Sequence, residues 1–364
     1  MELDRRRLLV AGGACLTSCA ARARHTTDAP ETLDLLLEAH ADVLPERAGA
    51  GANHYPMAAE ALVTLGHAQA IEPDWIRGAA GYAGEERHGS ARLERDALGD
   101  YGRFADWRAH FRDELARGPW QALVAEQAPR LAPGLSGAAF HGLIRTAHAV
   151  RALRERDTPA RRGELANGLA YWAARYAELP TNPALVDRPD ELERTLTRLT
   201  HPWIDDDADV DFSAVDERLA RAALAPPVEL DDDPATELDA LVHAAASAFL
   251  EMLVQERQRI WLLHTVTGPA AAGLLLPEVD SDGARLLVAH ARQAVVALQS
   301  AFGAPYTPGA HLRASPPAWP ELVQRAVASR SVHSIKLVEA LRRQAGADPD
   351  PLWRTVAVQW LEWV

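Results

Sequence analysis

The chain has 364 residues, 48% of them apolar and 24% charged, with a formal net charge of -13. These values exclude a disordered chain, a collagen and a coiled-coil rod, and no apolar run approaches the ~20 residues that a multi-span membrane protein needs in each span. The acidic balance argues against nucleic acid as a partner, because counterion-release binding needs clustered Lys and Arg. The length allows one large domain or two of ordinary size. The two cysteines, Cys15 and Cys19, both lie near the start, so the body has no disulfide, thiolate metal site or cysteine nucleophile. Of the 38 basic residues 37 are Arg, and the single Lys is Lys336. GC-rich coding drains Lys into Arg, and a Lys that survives the drain marks a candidate position where Arg cannot serve.

The first 18 residues read as an address. Arg5, Arg6 and Arg7 form a basic region, and Leu8 to Thr17 form a short, weakly apolar stretch, too short for a span. The paired arginines before Leu8 and Leu9 resemble a twin-arginine signal, and Leu16-Thr17-Ser18-Cys19 resembles a lipobox. The expectation is export, with a lipid on Cys19 attaching the chain to a membrane and residues 20–30 as a tether. Without export the chain is cytoplasmic.

From residue 31 to 364 the apolar spacing is mostly three and four. Leu33, Leu36, Leu37 and His40 follow it, then Ala59, Leu62, Val63 and Leu65, with Gly66 as a stop. Further helices are expected near 104–116, 120–131, 136–154, 160–178 and 213–224. The longest, 235–267, is expected to end at Gly268-Pro269, a C-cap glycine before a residue that cannot continue a helix. Helices near 284–302, 320–328, 333–344 and 351–363 complete the chain. No window of alternating β-branched residues reads as a strand. The fold class is all-α, a large single-domain helical bundle.

Several motifs fail. Gly78-Ala-Ala-Gly81-Tyr-Ala-Gly84 follows a helical pattern and lacks the strand that a dinucleotide fingerprint needs. Asp207, Asp209 and Asp211 imitate a calcium loop, but Phe212 and Arg218 stand where Gly and Glu are required.

Fourteen histidines remain to be explained. His25, His67, His88 and His110 lie in polar surroundings. His54 lies at a helix start, with Pro56 suited to the first turn. His141, Arg145 and His148 share one helix face, flanked by Gly137, Ala138, Ala139 and Gly142, which permit close approach. His264 lies in the last turn of the long helix. His333, Lys336 and Glu339 form a polar stripe on an otherwise apolar helix. Each alone reads first as an ordinary satisfied core or surface histidine. Together they suggest a metal, because bundle cores build such sites from facing helices and imidazole suits Fe, Zn, Cu or Ni.

The segments Asn53-His54-Tyr55-Pro56-Met57, Gly134 to Arg145, Ala170-Tyr171-Trp172-Ala173, His264-Thr265-Val266-Thr267 and His333-Ser334-Ile335-Lys336-Leu337 resemble the questin oxidase-like family. The resemblance runs from about residue 31 to the C-terminus. It implies an all-helical oxidoreductase acting on polycyclic aromatic ketones, with opening of an anthraquinone ring as the named reaction. The family has been described both as NADPH-dependent Baeyer–Villiger monooxygenases and as Fe(II) dioxygenases whose iron is held by four histidines and a carboxylated lysine. Carried over by position, the metal ligands are His54, His141, His264, His333 and Lys336, with His148 and Arg145 as further catalytic-site residues. O2 and a small aromatic substrate are the implied partners. The export-like N-terminus departs from the family's polyketide-pathway members and bears on the anthraquinone substrate more than on the metal. A different class of function, a lipoprotein that binds a hydrophobic ligand without catalysis, fits the same helical body.

Lipid attachment predicts that Cys19→Ala releases the chain from membranes or blocks its processing. Fractionation followed by N-terminal mass measurement tests this, and full-length cytoplasmic protein is the contrary result.

Overall fold

The computed structural model describes residues 29–47, 51–84, 93, 97–185, 192, 195–196, 212–222, 224–228, 230, 233–254, 259–303 and 307–364. The signal-like segment, Cys19, His25, His88 and the acidic run Asp207 to Asp211 lie outside them. Among the described residues the regular elements are helices, apart from a two-residue antiparallel pair, Glu46–Arg47 with Gly51–Ala52, and an isolated bridge between Thr181 and Leu224. The fold is all-α, as expected, and the short pair is a small departure from helices alone. The pair is too short to show as an alternating pattern, and Gly51, which pairs with Arg47, has a φ of +81° that favours glycine.

Among the described residues, five α-helices precede the central pair. α1 (Ala29–Ala39) buries Leu33, Leu36 and Leu37, as the three-and-four spacing requires. α2 (Tyr55–Thr64) has Pro56 in its first turn, and α3 (Pro73–Arg77) starts in the same way. α4 (Phe104–Arg117) leads to α5 (Trp120–Leu131).

The centre is the pair α6 (His141–Glu155) and α7 (Pro159–Ala174), the latter capped by Thr158. Glycine sets how closely they approach. A Cβ on Gly142 would lie 2.4 Å from the Trp172 Cα, and one on Gly168 would lie 2.8 Å from the Thr146 Cα. The second half comprises α8 (Phe212–Leu219), α9 (Pro234–Val254), α10 (Arg259–Leu275), α11 (Ser281–Phe302), α12 (Trp319–Ser329), α13 (Val332–Ala347) and α14 (Pro351–Trp363). Side chains cap several of these starts: Asp233 for α9, Asp280 for α11, Ser331 for α13 and Asp350 for α14.

Three expected boundaries are corrected. The helix expected over 235–267 is two helices, α9 and α10, that pack side by side. A single straight rod would have left most of that apolar surface in water.

Gly268-Pro269 does not end α10, which continues to Leu275. Pro269 removes one helical hydrogen bond. The surrounding burial outweighs that loss, because α10 packs against α6, α9, α11 and α13. Gly268 serves packing, since a Cβ there would lie 2.6 Å from the Phe140 ring. Ile260–Glu278 is apolar and long enough to cross a membrane, but here it is a core helix, mostly buried by its neighbours.

The helix expected from residue 136 begins at His141. Ala138, Ala139 and Phe140 all have positive φ, at 48°, 50° and 67°. Spacing cannot reveal such a turn, because left-handed backbone is disfavoured for all three residue types.

The packing at Gly142 predicts that Gly142→Ala lowers stability by about 1–3 kcal/mol, since backbone stands in the way. Gly163 also lies within α7, with open space around it. Gly163→Ala should therefore stabilise by about 0.5–1 kcal/mol. Urea midpoints of the two variants check the contrast.

Candidate active site

Four histidines from four helices meet in the core. His54 precedes α2, and its neighbour Asn53 is tied down on both sides. The Asn53 Oδ1 accepts from the Tyr55 N–H at 3.3 Å, and its Nδ2 donates to His40 Nδ1 at 2.9 Å. His40 itself is a satisfied core histidine, donating from Nε2 to the Trp75 carbonyl at 2.9 Å.

His141 is the first residue of α6, delivered by the left-handed turn. That turn is held from outside, where the Ala138 N–H donates to Asp216 Oδ1 at 3.1 Å. His264 lies within α10, and His333 lies in the first turn of α13.

The imidazoles form a closed circuit. Ring centroids are 4.4 Å apart for His333–His54, 4.8 Å for His54–His141, 4.6 Å for His141–His264 and 6.0 Å for His264–His333. Lys336, one turn after His333, places its Nζ 2.8 Å from His54 Nδ1. All five lie deep in the chain. His54 and His333 nonetheless keep partly accessible surface, so they border a space that water-sized molecules can enter.

Protonation follows from the hydrogen bonds. The His141 Nδ1 lies 2.6 Å from the Ala138 carbonyl and the His264 Nδ1 lies 2.9 Å from the Ile260 carbonyl. A carbonyl can only accept, so both Nδ1 atoms carry the proton and both Nε2 atoms present a lone pair. Neither Nε2 has a partner, although both are buried.

Burial, then the Lys336 charge, holds His54 and His333 well below the ordinary histidine range. Burial, then His264, does the same for His141. His264 is lowered to about 3 by burial and then Lys336. Burial also lowers Lys336 to about 7.

In kind, the donors fit a first-row metal: neutral imidazoles, two of them with Nδ1 anchored to a carbonyl and Nε2 bare. Their nitrogens are more widely spread than a closed metal shell. Among the described residues the His/Asp/Glu group with ligand atoms all within 4.8 Å is His243, Asp348 and Asp350, which is partly exposed and lies away from the quartet.

Beside the quartet lies a buried ionic network. Glu60 on α2 accepts from His148 Nδ1 at 2.6 Å and from Arg151 Nε at 2.8 Å, both on α6. Arg151 also bonds Glu339 on α13, and Arg343 donates to Glu339 at 3.3 Å. Burial pushes Glu60 up, but Arg151 and then His148 outweigh it and hold the carboxyl well below its usual range. Glu339 is also lowered, with burial opposed by Arg151 and Arg343. His148 is lowered by burial, against the pull of Glu60.

Arg145 is committed elsewhere. It makes a bidentate pair with Glu164, at 2.6 and 2.8 Å, and its Nη1 is buried without a partner. The structure thus brings His54, His141, His264, His333 and Lys336 together. It ties His148 and Arg145 to carboxylates, and neither hydrogen-bonds to the quartet.

Residues 52–341 match the questin oxidase-like family. The chain belongs to that family. No curated protein sequence matches it. Membership makes the chain an oxidoreductase, an oxidase or oxygenase. The matched region begins just before His54 and ends just after Lys336, so it contains the whole circuit.

Sequence reasoning missed Glu60, Arg151 and Glu164. A signal for Glu60 was present, since it interrupts the apolar run Met57 to Val63. Arg151 and Glu164 sit among ordinary helical charges and gave none.

The depressed histidines contribute stability that is complete above about pH 6.5, their unfolded value, and is lost as pH falls and the unfolded chain takes up protons. Glu60 and Glu339 add to the loss below about pH 4.5. The urea midpoint of metal-free protein should therefore fall continuously from pH 7 to pH 4. Glu60→Gln should cost about 3 kcal/mol at pH 7, because it removes one of the two carboxylates that compensate the Arg151 guanidinium and leaves only Glu339.

Proposed function

We propose that this oxidoreductase is an Fe(II)-dependent, dioxygenase-like enzyme that cleaves a ring of a polycyclic aromatic ketone with O2. His54, His141, His264, His333 and Lys336 would hold the metal. The observation that carries this reading is the pair of buried, partnerless Nε2 lone pairs on His141 and His264. Leaving such acceptors unsatisfied costs about 1–3 kcal/mol each unless something binds them. Iron bound there would supply redox chemistry and open positions for O2 and substrate.

Lys336 needs a change of form to serve as a ligand, because an ammonium cannot bind a cation. Burial favours its neutral amine. A neutral amine adds CO2, forming an N–C bond and releasing one proton, and the product is an anionic carbamate. That anion offsets part of the charge of a dication among neutral imidazoles. Arg stays protonated and cannot follow this route, which accounts for one Lys in a chain of 37 Arg.

The other residues act by position. His148 stays neutral and donates to Glu60, which keeps the carboxylate out of the quartet. Arg145 and Glu164 neutralise each other one turn along α6 from His141.

The test is metal analysis of protein produced with iron and bicarbonate, and O2 uptake on 1,8-dihydroxyanthraquinone with and without NADPH. The expected results are bound iron, uptake without NADPH, and at least a tenfold loss of iron in Lys336→Arg with helicity unchanged. A Lys336→Arg protein that keeps iron and activity overturns the role of Lys336. Uptake that requires NADPH favours the Baeyer–Villiger alternative.

A further inference from the structure

A second circuit of rings shares an edge with the histidine circuit. It runs from His141 to Phe212 (5.1 Å), to Trp261 (6.1 Å), to His264 (6.5 Å) and back to His141 (4.6 Å). The shared edge, His141–His264, carries the two bare Nε2 atoms. Phe212 opens α8, and Trp261 lies one turn before His264 on α10.

The aromatic members are held in fixed orientations. Trp261 stacks on Phe302, the last residue of α11, at 5.9 Å and an interplanar angle of 24°. Phe212 meets His141 at 64° and Trp261 at 81°, so it stands edge-on to both. Edge-on contacts leave ring faces without a stacking partner.

Packing alone accounts for Phe212 and Phe302, which are buried. Trp261 differs from both, because it keeps accessible surface one turn from the buried His264.

We propose that Trp261, backed by the buried Phe212, is the specificity wall of this site, on which the flat ring system of the substrate lies with its reacting edge toward His141 and His264. This rests on the reading that the substrate is a polycyclic aromatic ketone. An indole is electron-rich and a quinone is electron-poor, so the pair stacks favourably. A flexible aliphatic ketone offers no face and gains nothing from the wall. The wall thus selects for planarity, while the imidazole circuit is left to the chemistry.

Binding to metal-free protein tests this apart from the iron reading. The probes are anthraquinone-2-sulfonate and 2-nonanone, followed by equilibrium dialysis. Wild-type protein should bind the anthraquinone saturably. Trp261→Leu should weaken that binding about tenfold, in keeping with the worth of one aromatic stacking partner. Trp261→Phe should stay within about threefold, because it keeps a stacking face. Affinity for 2-nonanone should not change in either variant. Trp363→Leu, at a half-exposed Trp on α14, controls for loss of any indole. An unchanged melting temperature and iron content in Trp261→Leu separate a binding role from a structural one.

Failure of wild-type protein to bind the anthraquinone overturns the proposal. So does a Trp261→Leu variant that binds like wild type, or one that loses both ketones equally. Loss of the iron reading with retention of the Trp261 effect leaves the wall standing.

Discussion

The guanidinium of Arg151 lies between two carboxylates, Glu60 and Glu339, in a region with almost no access to water. Each charge taken out of water costs several kcal/mol, and the cost is offset only when every partner is in place. The arrangement therefore behaves as a register lock. Glu60 is on α2, Arg151 and His148 are on α6, and Glu339 is on α13. These helices carry His54, His141, and His333 with Lys336. Arg343 extends the lock to α10, the helix of His264, by donating to the Ala270 carbonyl at 2.9 Å. A slip of one turn in any of the four would strand a charge and scatter the histidines together.

The lock also sorts charge. Its carboxylates are bound to arginine and His148, and no carboxylate contacts the four imidazoles in the hydrogen bonds described. The quartet is left with neutral nitrogens and one amine that burial inclines to lose its proton. Ionic network and neutral cluster lie side by side on the same helices, and this separation lets buried lone pairs stay available. Backbone strain adds to the arrangement. Three successive left-handed residues, each costing roughly 1–2 kcal/mol, deliver His141. Asp216 holds the turn from α8, so the helix that contributes Phe212 also supports the histidine that Phe212 touches.

Glycine makes this proximity possible. Gly142 and Gly168 let α6 and α7 approach until backbone nearly meets backbone, and Gly268 admits the Phe140 ring against α10. The same close packing leads Pro269 to be carried inside a continuous helix. The lost hydrogen bond is local, whereas α10 gains burial along its length.

Much of this protein was legible in its residues. The three-and-four apolar spacing determined the helices, because one buried stripe is what a helix in a bundle must present. Composition made Lys336 conspicuous. Local context singled out His54, His141, His148, His264 and His333, and the family resemblance narrowed the metal set to His54, His141, His264 and His333 with Lys336. What the sequence could not decide depended on contacts between distant segments. The split of 235–267 into two helices, the passage of α10 through Gly268-Pro269, and the left-handed turn before His141 all run against local propensity and are settled by burial. The pairing of Glu60 with Arg151, and of Arg145 with Glu164, is invisible along the chain, since a charge shows its partner only once helices pack. The meeting of Phe212 and Trp261 beside His141 and His264 was likewise decided by tertiary structure, because ring contacts across helices leave no period in a sequence.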